Sequence, residues 1–185
     1  MSWIDVLLGR SKSVPPNLDA LFALPSAAVT LQAATGLAPT GVGAVCYRAA
    51  EGGAFATLEA DVKALLGERV ESLRDAYGYS WLVVRRSSDA LSDLVTELHA
   101  VNSSLEDAGF GPSLLCSVAA FADTEGRRLG LVYLYKRGTF YPFAPAGGQR
   151  RDNALELQAR AMLAGELRME EDLGRWFPVW GAPGL

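Results

Sequence analysis

Histidine is nearly missing from this chain. His99 is the only one in 185 residues, and cysteine occurs twice, at Cys46 and Cys116. That scarcity excludes much chemistry. Zinc needs about four nitrogen or sulfur ligands, usually in close pairs, and one histidine with two cysteines 70 positions apart does not supply them. A Cys–His nucleophile would have to join His99 to Cys46 or Cys116. His99 adjoins Val95 and Leu98 on an apolar helical stripe, however, and reads as a residue of the core edge. Both cysteines lie among apolar neighbours inside expected strands, the pattern of reduced buried thiols and of a cytoplasmic compartment. Excess positive charge is also missing: 17 Lys and Arg face 21 Asp and Glu, for a net charge of −4. Nucleic-acid binding therefore loses its usual electrostatic basis. The longest apolar runs, such as Leu129 to Tyr135, are strand-sized and far below the roughly 20 residues a membrane-spanning helix needs. The N-terminus has an acid, Asp5, inside its apolar stretch and no small-residue cleavage site, so it does not read as a signal peptide.

What is present is globular: half the residues are hydrophobic and 21% are charged, enough for one core and one domain. Residues 2–9 place Trp3, Ile4, Leu7 and Leu8 on one helical face, followed by a turn-rich linker ending at Pro15 and Pro16. The expected organisation is an amphipathic segment and linker over 1–16, then a single domain over 17–185.

Within that domain, Asn17 and Pro25 open a helical region that Gly36 closes, and residues 41–49 read as a strand. Leu58, Val62, Leu65 and Leu66, with Phe55, return to helical spacing. Residues 69–75 and 79–86 flank Ala76-Tyr77-Gly78 as a hairpin. The clearest helix has Ser88 as its cap, a stripe of Leu91, Leu94, Val95, Leu98, Val101 and Leu105, and Gly109 at its end. A second hairpin joins 114–121 to 129–137. Leu131, Tyr133 and Tyr135 point one way and Val132 and Leu134 the other, so this last strand should be central. Residues 140–145 read as an aromatic turn, and a final helix starts near Asp152. This order predicts an α+β fold: an antiparallel sheet of about five strands with helices packed on it. It resembles the small folds of type III secretion chaperones, a likeness that says little about function.

No catalytic or cofactor motif assembles from these elements. Gly41-Val42-Gly43 starts like a dinucleotide loop, but Cys46 stands where the third glycine belongs and a strand follows. Gly147-Gly148 leads through Arg150 and Arg151 into a helix start able to receive an anion, although Asp152 competes for the same donors. Lys136 and Arg137 end a strand beside the aromatic turn, as a recognition edge or as edge protection. The acids at 106–107 and 170–172 read as solvated helix ends, which makes Glu170 a surface charge. The best interaction signals are Trp3, Ile4, Leu7 and Leu8 at one end and Trp176, Phe177 and Trp180 at the other. Such residues either fold back or contact a partner.

Several long blocks resemble one family. Residues 3–10 (Trp-Ile-Asp-Val-Leu-Leu-Gly-Arg), 16–25, 98–103, 133–143 (Tyr-Leu-Tyr-Lys-Arg-Gly-Thr-Phe-Tyr-Pro-Phe) and 175–181 (Arg-Trp-Phe-Pro-Val-Trp-Gly) are similar to the actinobacterial PspA-associated protein PspAB family. The resemblance runs nearly end to end. It implies a non-enzymatic accessory of the phage-shock envelope-stress response, without cofactors. The implied partners are the coiled-coil protein PspA and a membrane protease of the HtpX type, at the inner face of the membrane. It supplies no catalytic residues. The competing reading is a small-ligand or anion-binding protein, or an enzyme, that uses the aromatic turn with Lys136, Arg137, Arg150 and Arg151.

Overall fold

The computed structural model describes residues 17–48 and 52–185, with only the backbone of Ala54 and Phe55. The amphipathic segment and linker over 1–16, Ala49 at the end of the first expected strand, and the side chain of Phe55 lie outside the described residues. Six strands are present: β1 (Ala38–Tyr47), β2 (Val70–Arg74), β3 (Ser80–Arg85), β4 (Leu114–Ala122), β5 (Arg128–Leu134) and β6 (Thr139–Phe143). Among the described residues four α-helices accompany them: α1 (Leu24–Thr35), α2 (Gly53–Leu66), α3 (Leu91–Leu105) and α4 (Asn153–Leu163). The strands form one antiparallel sheet in the order β2-β3-β1-β4-β5-β6.

The fold is α+β, as the element order indicates, but the sheet has six strands rather than about five. The added strand is β6, whose sequence Thr-Phe-Tyr-Pro-Phe reads as a turn because it contains proline. Its position resolves the conflict. The Phe140 N–H donates to the Arg168 carbonyl at 2.8 Å, and the Phe140 carbonyl accepts from the Glu170 N–H at 2.7 Å, both on the side away from β5. Pro142, two residues along, turns its nitrogen the same way, so its missing N–H removes no bond to β5. With β6 outside it, β5 is central.

One sheet face is covered by helices. Leu91, Leu94, Val95, Leu98, Val101 and Leu105 of α3 are all buried, together with Val45, Leu82, Val84, Phe121, Leu131 and Tyr133 of the sheet. Each large aliphatic side chain so buried contributes roughly 1.5–3 kcal/mol relative to exposure. The cap of α3 is Ala90 rather than Ser88, and it makes no side-chain cap bond. Asp152 does cap α4, accepting from the Leu155 N–H at 2.9 Å. The stretch Leu18–Thr35, a tight 3-10 turn running into α1, is long and apolar enough to cross a membrane by composition. Here Leu18, Leu21, Leu24, Ala27, Ala28 and Leu31 are instead buried in the domain core.

The glycines of the failed dinucleotide motif have a packing role. A Cβ on Gly43 would lie 3.0 Å from Leu98 and 3.2 Å from Leu94, and one on Gly41 would meet the Arg86 carbonyl oxygen at 2.0 Å. Gly41 also has φ of 81°. These two residues let α3 and the chain after β3 approach β1 closely.

Candidate functional site

The opposite sheet face is apolar too, because alternate residues of the same strands point to it. One row crosses five strands: Leu73 opposes Trp81, Trp81 opposes Cys46, Cys46 opposes Cys116, and Cys116 opposes Leu134. In that row two short thiol side chains stand between an indole and a leucine, so the surface dips at the middle of the sheet. The segment after the β2 strand, with Asp75, Tyr77 and Tyr79, walls the dip on one side. Phe177, Pro178, Val179 and Trp180 of the C-terminal tail wall it on the other. The result is a pocket of about 450 Å³, within the usual range for ligand clefts.

Hydrogen bonds fix both walls. Asp75 Oδ1 accepts from the backbone N–H groups of Tyr77 and Tyr79 at 2.9 and 3.0 Å, while Oδ2 accepts from the Trp81 indole N–H at 2.9 Å. Gly78 completes this turn with φ of 85°, a conformation glycine adopts at little cost. The β4–β5 turn repeats the device with Asp123, which accepts from the Glu125 and Arg127 N–H groups. There the second oxygen meets the Arg127 guanidinium at 2.6 Å. Asp75 has neutral donors only, and no lysine or arginine is among the described residues lining the pocket.

The tail is held from beneath. Trp176 is 5% exposed, its indole N–H donates to the Glu170 carbonyl at 3.0 Å, and its ring stacks on Tyr141. The Tyr141 hydroxyl donates to the Phe177 carbonyl at 2.7 Å. Farther along, Gly184 lies against Val42 and Ala120, and Leu185 against Gly130. The tail thus covers the far part of this face and leaves the thiol row open. Of the three C-terminal residues singled out from sequence, Trp176 belongs to the interior. Phe177, at 60% exposure, and Trp180 line the pocket.

Glu170 is not the surface charge its sequence setting suggests. It is 2% exposed and accepts from Thr139 Oγ1 at 2.8 Å and from Arg137 Nε at 3.2 Å. Burial would raise its pKa, but hydrogen bonds from Arg137, Thr139 and the Asp172 N–H outweigh that and hold the carboxyl below its ordinary range. Because residues 168–170 run along the outer edge of β6, its backbone tucks the side chain inward.

The four cations of the competing reading are not brought together. Lys136 and Arg137 lie in the turn before β6, whereas Arg150 and Arg151 lie beyond its other end. Arg137 is paired with Glu170. Arg151 donates to Glu156 Oε1 at 2.8 Å and to the Trp176 carbonyl at 2.5 Å. Arg150 and Lys136 are exposed. His99 sits on the helical side, 3.1 Å from Asp19 Oδ1 and packed on Phe22, while both cysteines face the other side of the sheet. The sheet separates any such dyad. The Cys46 thiol is pushed up from its ordinary pKa by its contact with Cys116, by burial and by the charge of Asp75. A protonated thiol of that kind is a packing group rather than a nucleophile.

A family model described as PspA associated protein B matches residues 1–184. The chain belongs to the PspAB family. Its family description is that of a protein associated with PspA, consistent with an accessory role, and the alternative of a small-ligand or anion-binding protein or an enzyme is not favoured. No curated protein and no solved structure matches the chain.

Sequence reasoning missed Asp75, Tyr77, Tyr79, Trp81, Leu115, Leu134 and Tyr141 as pocket residues. A signal existed for some of them: Tyr77, Tyr79 and Trp81 alternate with the period of a strand and so share one face.

Proposed function

We propose that this chain is a non-enzymatic accessory of the phage-shock envelope-stress response that binds a PspA-type coiled-coil protein in the cytoplasm. Membership of the PspA-associated family supports the choice of partner. The observation that carries a binding role is the pocket on the sheet face opposite the four described α-helices, rimmed by Tyr77, Tyr79 and Phe177, which are 57, 38 and 60% exposed. Large aromatic groups held at a rim by hydrogen-bonded walls suit a protein contact, where such side chains carry much of the energy. The apolar residues Trp3, Ile4, Leu7 and Leu8 near the start of the sequence supply a second contact, to the partner or to the inner membrane surface. An HtpX-type membrane protease is a further member of the same assembly in this reading.

The test is affinity capture with the full chain at native expression from envelope-stressed cells. Wild-type protein should recover the PspA homologue. Trp3→Ala with Leu7→Ala should weaken recovery by roughly 2–4 kcal/mol if that end makes contact, and Phe177→Ala should weaken it if the pocket does. Recovery of no member of the system under inducing conditions would remove the assignment.

A further inference from the structure

We propose that the pocket on the sheet face opposite the described helices receives the side chain of a lysine or arginine projecting from the protein partner. The inference rests on the binding role proposed above and names the chemistry of the contact. Six aromatic residues line the pocket: Tyr77, Tyr79, Trp81, Tyr141, Phe177 and Trp180. Aromatic walls accept the aliphatic stem of a long cationic side chain, and their negative faces attract its charged head.

Among the described lining residues the only charged one is Asp75. Its carboxylate is oriented by three neutral donors, two backbone N–H groups and the Trp81 indole. The sister carboxylate Asp123, in the same turn geometry, has its charge answered by Arg127. Asp75 is therefore a fixed negative charge beside aromatic rings, with no cation among the described residues of the pocket. An acidic group would meet repulsion there. A phosphate-bearing headgroup would find no lysine or arginine among the described lining residues to answer it. A purely apolar side chain would leave the carboxylate facing it unanswered. A coiled-coil protein fits this chemistry for a general reason: its apolar seam is occupied by its own partner helix, and its outer positions carry long charged side chains.

The experiment titrates the full-length protein with the Nα-acetyl methylamides of lysine, arginine and norleucine, following the Trp81 indole N–H resonance. That proton is hydrogen-bonded to Asp75 and so reports on charge arriving there. The lysine or arginine amide should bind about tenfold more tightly than the norleucine amide at low salt, and the preference should shrink as salt is raised. Asp75→Asn keeps an acceptor for the Tyr77 and Tyr79 N–H groups and should abolish the preference. Equal affinity of wild-type protein for the cationic and norleucine amides overturns the inference, and this comparison needs no variant to fold. Capture of the PspA homologue separates the two levels. If Asp75→Asn, shown folded, captures as much as wild type, the inference fails while the partner reading stands. If the wild type captures none yet prefers the cationic amides, the partner reading fails and the pocket chemistry stands.

Discussion

Cys46 and Cys116 oppose each other directly across β1 and β4, both on the sheet face opposite the described helices, with Trp81 on one flank and Leu134 on the other. Their small size creates the pocket floor, and their mutual contact with burial keeps the Cys46 thiol protonated. A disulfide reagent at pH 8 should therefore label Cys46 on the order of 100-fold more slowly in the native protein than in denaturant. Mass spectrometry of the two labelled positions checks this. Comparable native and denatured rates would show a reactive thiol instead.

Trp176 and Phe177 are neighbours in sequence with opposite fates. Trp176→Ala removes a buried indole and its bond to the Glu170 carbonyl, and should cost about 3–5 kcal/mol of unfolding free energy. Phe177→Ala removes a side chain that is 60% exposed, and should stay within about 1 kcal/mol. Urea melts of the two variants decide the point. Similar losses for both would contradict the assignment of one to the interior and the other to the pocket rim.

Glu170 gives the stability curve an acid limb. Its folded pKa lies below the ordinary 4.5 because the bonds from Arg137, Thr139 and the Asp172 N–H outweigh burial. Depressed in the folded state, it contributes stability that is present in full above the unfolded value and is lost as pH falls through the folded one. Glu170→Gln should lower stability near pH 7, by roughly 1.5–3 kcal/mol for charge-assisted hydrogen bonds. It should also flatten the loss between pH 4.5 and lower pH relative to wild type. Urea midpoints across that range measure both effects, and a parallel offset at every pH would show that the carboxyl does not titrate as described.

Gly43 tests whether sterics or strand propensity governs β1. Valine favours strands, yet a side chain here would press on Leu94 and Leu98, already 3.0–3.3 Å from the Cβ position. Gly43→Val should destabilise by about 1–3 kcal/mol through overpacking. A raised melting temperature would show that α3 can move away from the sheet at no cost.

Much of the fold was legible because local pattern and tertiary role coincide. The stripe Leu91, Leu94, Val95, Leu98, Val101 and Leu105 has one helical face and buries it. The two-sided apolar pattern of β5 marks a central strand, and two Asp-x-x-Gly turns set their hairpins. Strand β6 was not legible, since a proline is tolerable there only because its nitrogen faces the outer edge of the sheet, and edge position is a property of the assembled sheet.

The sequence by itself determined the elements other than β6, the α+β class, the scarcity of metal-binding and nucleophilic side chains, and the residue blocks that mark the family. Only the tertiary structure decided what those side chains face. It set Cys46 beside Cys116 across 70 residues of chain, turned Trp176 inward and Phe177 outward, buried Glu170 against Arg137, and placed Asp75 among aromatic rings. Periodicity along a chain reports which residues share a face of one element. The register between strands and the path of the C-terminal tail fix which faces meet, and those depend on contacts between residues far apart in sequence.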